Sequence, residues 1–162
     1  MKKFWLYGLF VLLVAALCVA TFIYLHLRGQ QHAIIERGTE LALTRTQINE
    51  VTSVDVYYGT EDYIVVRGKT QTGEKLVAWF QGEQGEVEKM SRLIPEENVI
   101  EALTKQYPNF QLIHIIPAKQ GKQKMWEVLF EDGDNSLNYY YIDMYTGKFL
   151  KVYRVPIAKG DF

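Results

Sequence analysis

Residues 139–150, YYYIDMYTGKFL, spell out a β-hairpin. Tyr139, Tyr140 and Tyr141 favour an extended backbone, because aromatic side chains suit a pleated, half-buried surface. Asp143 opens a turn in which its carboxylate can accept backbone N–H groups. Gly147 supplies the positive φ that closes the turn. The first strand starts at Leu137, and the second runs from Phe149 to Val155. Successive side chains on a strand point to opposite faces, so Tyr140 points away from Tyr139 and Tyr141. One face is core, and the other faces solvent, another part of the chain or a partner.

Working outward, residues 131–136, EDGDNS, are a hairpin turn that joins this strand to another over Lys124–Phe130. A further strand covers Phe110–Pro117. Ahead of it, Pro95 fits the first helical position, where no N–H is needed. Glu96 and Glu97 suit the positive end of the helix dipole. Val99, Ile100, Leu103 and Tyr107 form an apolar stripe, and Pro108 ends the helix.

The first half has the same order. Residues 29–50 predict a helix with Ala33, Ile34, Leu41 and Ile48 on one stripe. Gly38 weakens its middle by about 1 kcal/mol relative to Ala. Period two then takes over: Val51–Tyr58, Tyr63–Gly68 and Glu74–Gln81 are strands, and a turn over Gly82–Gly85 leads into Val87–Met90. Laid over the second half, Gly59 falls on Gly121, Ile64 on Trp126, Val66 on Val128, Trp79 on Tyr141 and Gly85 on Gly147. The chain is read as a tandem duplication. The expected fold class is α+β: two repeats over 29–93 and 94–162, each a helix packed on a bent antiparallel sheet. Copies this small are marginal alone, so they are expected to pack against each other.

Residues 1–28 are different material. Phe4 to Leu27 contain no Asp, Glu, Lys or Arg. A helix of that length reaches roughly 36 Å, enough to cross a hydrocarbon core about 30 Å thick. Trp5, Tyr7 and Tyr24 sit where interfacial rings belong. The run is too long for a cleaved signal peptide. Leu17 stands where lipidation of Cys18 would require a small residue. The expectation is an uncleaved signal anchor, N-terminus cytoplasmic and the rest extracytoplasmic, with Lys2 and Lys3 favouring that orientation.

Lys2 and Lys3 precede the apolar run, and the remainder is net acidic with no basic stripe, which argues against nucleic acid. The single cysteine, Cys18, allows no disulfide in the repeats. His26, His32 and His114 have no metal-ligand spacing. Ser53, Ser91 and Ser136 lack a nucleophile-elbow setting, and no phosphate-binding glycine motif is present. The acidic Glu131, Asp132 and Asp134 lack the spacing of a calcium loop. No enzyme, metal, cofactor or small-molecule substrate is inferred.

The hairpin, with Tyr141, Asp143, Thr146, Gly147, Lys148 and Leu150, resembles the end of a PepSY domain. The first copy departs from that pattern, with Gln81 and Gln84 in place of the Asp and Thr. The whole layout, a Lys-Lys tail, one apolar run and two such repeats, resembles the TseB/YpmB family. That resemblance implies a cystatin-like fold outside the membrane and regulation of cell wall elongation. It also implies a membrane-bound partner, a class B penicillin-binding protein. The alternative is an inhibitor or chaperone-like regulator of an envelope protease, since PepSY-like domains resemble segments of propeptides. The residues expected to meet a partner are Tyr139, Tyr141, Asp143, Tyr145 and Tyr153, because Tyr is favoured at interface hot spots.

Overall fold

A computed structural model describes residues 2–134 and 136–157, with backbone alone for 2–9, 11 and 25–30. The chain divides into two units, Met1–Arg37 and Gly38–Phe162. The described residues of the first are helical and belong to α1 (Lys2–Arg45). Phe10, Leu12, Leu13, Leu17, Val19 and Ile23 are exposed on it. Among the described residues, no helix is long and apolar enough to cross a membrane. The span expected over Phe4–Leu27 extends over residues 4–9, 11 and 25–27, whose side chains lie outside the described set.

The second unit contains two four-stranded antiparallel meanders. The first sheet holds β1 (Glu50–Tyr58), β2 (Asp62–Lys69), β3 (Lys75–Gln81) and β4 (Gln84–Lys89) in that order. A 3-10 turn at Met90–Arg92 leads to α2 (Glu96–Gln106). The second sheet holds β5 (Gln111–Gln120), β6 (Gln123–Glu131), β7 (Ser136–Asp143) and β8 (Phe149–Pro156). Each copy carries an irregularity in its first strand, between Val51 and Ser53 and between Leu112 and His114. Such bulges sharpen the local twist of a strand pair.

Within the first sheet β3 is buried on both faces, which explains why it reads as an apolar run. Leu76, Ala78, Phe80 and Val66 pack against Leu41 and Ala42 at the end of α1. Their strand neighbours Val65, Val77 and Trp79 point the other way. They join Met125, Trp126 and Val128 of the second sheet in one continuous cluster. The two copies therefore share a core, as their small size led us to expect. In the second copy, Val99 and Leu103 of α2 are buried. Tyr107 and Phe110 pack their rings on Phe130, at centroid distances of 5.0 and 5.4 Å. Trp126 donates its indole N–H to the Ile94 carbonyl at 3.0 Å.

Three details differ from the sequence reading. The α1 helix stops at Arg45 instead of reaching residue 50. Thr46 ends it by donating its hydroxyl to the Ala42 carbonyl and accepting the Ile48 N–H. Gly38 is a contact point and not merely a weak position: a Cβ there would lie 2.6 Å from Val54 Cγ1 and 2.9 Å from Ile64 Cγ2. The turn glycine of the first copy is Gly82, with φ 61°, and not Gly85. Gly85 lies in β4 beneath the Phe80 ring, where a Cβ would come within 2.5 Å of Cε1.

Candidate functional site

The five tyrosine and aspartate positions singled out in the sequence all lie on the β7–β8 hairpin or its turn, but in different settings. Residues Tyr139, Tyr141, Lys151, Tyr153 and Val155 share one face, because Tyr139 pairs with Tyr153 and Tyr141 with Lys151. Tyr141 is buried and donates its hydroxyl to Glu127 Oε2 at 2.6 Å. Tyr139 is half-buried. Tyr153 is 55% exposed and stands edge-on to Tyr141 at 6.0 Å. The Lys151 ammonium lies over both rings, 4.7 Å from the Tyr141 centroid and 5.2 Å from that of Tyr153. It also donates to Gln120 Oε1 at 3.1 Å.

On the same face, directly across from Tyr141 on β6, lies Glu127, whose carboxylate meets Tyr141 on one oxygen and His114 Nε2, at 3.3 Å, on the other. Burial raises the Tyr141 hydroxyl well above its ordinary value, and the Glu127 carboxylate adds to the rise. Tyr57 is raised in the same way, by burial first and then by Glu127. The sequence reading missed Glu127. Its only signal was a charge inside the strand KMWEVLFE, at a position where register demands an inward side chain.

Asp143 is a turn device. Its Oδ1 accepts the backbone N–H groups of Tyr145 and Thr146 and the Thr146 hydroxyl, at 2.8–3.1 Å. Burial alone would raise the carboxyl, but these bonds outweigh it and hold it below the usual carboxylate range. Gly147 takes φ 69°, as the turn requires. Tyr145 is partly exposed and donates to Glu88 Oε2 at 2.9 Å, which ties the second copy's turn to the first copy's β4.

That bond belongs to a polar seam between the copies. Lys124, buried apart from 6% of its surface, reaches Glu86 at 2.6 Å and Glu88 at 3.4 Å. Lys119 also reaches Glu86, at 2.8 Å. Hydrogen bonds from Lys119 and then Lys124 lower the Glu86 carboxyl. For Glu88 burial acts upward, but bonds from Tyr145, the Lys89 N–H and Lys124 prevail and lower it. At the other end of the seam, Arg67 bonds Glu96 at 2.5 Å, Asp55 at 3.1 Å and Ser53 at 2.8 Å. A groove of about 780 Å³ opens beside Arg67, bordered by Lys69, Lys75 and Pro95. Its guanidinium is already spent on those three partners. Among the described residues, no group of His, Cys, Asp or Glu is arranged to hold a metal ion.

The arrangement is a tyrosine face with a cation laid over two of its rings and a buried carboxylate bonded to Tyr141. Residues 38–81 match the family described as "Cell wall elongation regulator TseB-like domain". Residues 93–153 match "Peptidase propeptide and YPEB domain", the PepSY family. A protein of Bacillus subtilis (strain 168) named "Probable cell wall elongation regulator TseB" is 27% identical over 153 residues, which span 87% of this chain and 89% of that protein. The solved structure of the YpmB protein from Bacillus subtilis matches in fold with a TM-score of 0.63 at 23% identity, covering 75% of this chain and 96% of that one. Over most of its length the chain thus resembles the TseB/YpmB family, with a TseB-like domain at residues 38–81 followed by a PepSY domain at residues 93–153.

Proposed function

We propose that this chain is a membrane-anchored, extracytoplasmic regulator of cell wall elongation that works by binding a class B penicillin-binding protein. The observation that carries the reading is the similarity to a probable cell wall elongation regulator across 87% of the chain. Two further features support it. The run from Phe4 to Leu27 has no charged residue, and Leu12, Leu13, Leu17 and Ile23 are exposed along it, as lipid-facing side chains would be. The tyrosine face of β7 and β8 is rich in the side chain favoured at interface hot spots. Tyr153, flanked by Tyr139 and Lys151, is the contact, Tyr141 stands edge-on beside it on the same face, and Tyr145 of the preceding turn is a second contact. Confining both proteins to one membrane raises their effective concentration, so a modest interface suffices.

The test is co-purification of the full chain with each class B penicillin-binding protein of its own cell. Tyr153→Ala and Tyr145→Ala are the informative variants. Recovery of one synthase with the wild type, reduced by Tyr153→Ala, is the expected result. Equal recovery of unrelated membrane proteins, or none of any synthase, defeats the reading. The description of the PepSY family as a peptidase propeptide domain favours one other reading, control of an envelope protease. Slowing of such a protease by the full chain, with no synthase recovered, would select it.

A further inference from the structure

The order of the second sheet ends on β8, and among the described residues β8 pairs with β7 alone. One row of its backbone N–H and C=O groups therefore has no strand beside it, the arrangement on which another extended chain can add. The other edges differ. On β4, Glu86 and Glu88 are committed to Lys119 and Lys124. Strands β1 and β5 lie against each other.

The side chains on β8 favour one kind of occupant. Val152, Tyr153 and Val155 are exposed, and Ile157 continues the apolar character past the strand end. The charge has one sign. Lys148, Lys151 and Arg154 lie in the stretch 144–157, which contains no Asp or Glu, although the whole chain has a formal net charge of −1. Arg154 already shares its charge with Asp132 and Asp134, at 2.8 and 2.9 Å. Lys148 acts on the Asp143 carboxylate across its own turn, so the positive potential left to the edge comes chiefly from Lys151. Lys151 is held flat over Tyr141 and Tyr153, which fixes that potential on the tyrosine face.

We propose that β8 is a docking edge for an extended, acidic segment of a partner protein, taken by strand addition with carboxylates over the Lys151–Tyr153 face. The proposal rests on the reading that the second repeat binds a protein, and it names the chemistry of the segment. A second copy of this chain is disfavoured in one two-fold register and is left as an outcome of the test. Two-fold pairing of β8 in the register that sets Val152 opposite Tyr153 also sets Lys151 opposite Arg154, like charges directly across a strand pair.

The experiment uses the full chain in detergent micelles, a capped octapeptide of alternating Val and Glu, and its Val–Lys counterpart. Amide hydrogen exchange over residues 149–156 is the readout. The Val–Glu peptide at millimolar concentration is expected to slow it about tenfold, and the Val–Lys peptide to leave it unchanged. In K148E/K151E, checked for unchanged tryptophan emission, the preference should reverse. No slowing, or equal slowing by both peptides, overturns the proposal. Protection of 149–156 without peptide, with a doubled mass, gives the edge to a second copy and also overturns it. A synthase that co-purifies yet leaves these amides unprotected defeats strand addition while the partnership stands. Protection by the acidic peptide with no synthase recovered supports the edge and defeats the partnership.

Discussion

Replacing Gly38 by Ala tests the packing of α1 on the first sheet. On an exposed helix the change stabilises by about 1 kcal/mol, because Ala restricts the unfolded chain and fits the helix better. Here the added Cβ would stand 2.6 Å from Val54 Cγ1, 2.9 Å from Ile64 Cγ2 and 3.4 Å from Val66 Cγ2. Carbon atoms sit comfortably at about 3.5–4.0 Å, so the helix and sheet must separate by roughly 1 Å at this point. Overpacking of this kind costs about 1–3 kcal/mol. Set against the helix gain, the net expectation is a loss of about 1 kcal/mol. Urea unfolding of the full chain in micelles, followed by tryptophan emission, measures it. The buried Trp79 and Trp126 report the shared core. Val54→Ala removes the atom that meets the new Cβ, so Gly38→Ala should be less harmful in that background. The reasoning fails if Gly38→Ala stabilises the wild type by the full helix increment, or if its effect is the same in both backgrounds.

Tyr141→Phe leaves a buried Glu127 oxygen without its 2.6 Å donor and should cost about 1–3 kcal/mol in the same assay. Asp143→Ala removes three hydrogen bonds from the β7–β8 turn and should cost about 0.5–2 kcal/mol in thermal unfolding, with Asp143→Asn closer to wild type. Folding lowers the Glu86 and Glu88 carboxyls from an ordinary value of 4.5. The unfolded chain therefore binds more protons in acid, and this stability is present above pH 4.5 and lost as pH falls through the lowered values. Denaturation midpoints measured from pH 7 downward should show the loss, and Glu86→Gln with Glu88→Gln should flatten it. Trp126→Phe loses the 3.0 Å bond to the Ile94 carbonyl and should destabilise by about 0.5–1.5 kcal/mol, read by urea titration.

Strands and turns were legible in the sequence because their signals are local. Alternation from Val51 to Tyr58, the EDGDNS turn and the Asp143–Gly147 turn each sit within a few residues. The end of α2 before Pro108 was legible for the same reason, whereas Pro95 proves to be the extended N-cap before Glu96 and not the first helical residue. What escaped depends on residues far apart in the chain. Gly38 reads as a weak helix position until Val54 and Ile64 are placed above it. Gly85 lined up with Gly147 by spacing, but the tight turn at Gly82 moved the kink earlier and gave Gly85 to a strand under Phe80. The tyrosines of the candidate face were visible in the sequence, whereas the roles of Glu127 and Lys124 were not. A charge in a strand looks solvated until its partners arrive from another strand or from the other copy. Tyr141 and Tyr153 illustrate the remaining limit. Both were expected to meet a partner, but the edge position of β8 leaves Tyr153 exposed while Tyr141 is covered.

The core that joins the two sheets also bears on how the chain is made. Synthesis delivers β3 before β6, so Val65, Val77 and Trp79 emerge with no apolar surface to cover them. They stay uncovered until Met125, Trp126 and Val128 have followed. During that interval the nascent first repeat has one finished face, against the end of α1, and one sticky one. A truncation between the repeats would make this intermediate permanent. Such a fragment should aggregate or be degraded rather than persist as a half-sized version of the protein. Ribosome pausing within 94–130 would lengthen the same exposure, which ties the yield of the folded protein to the pace of its second half.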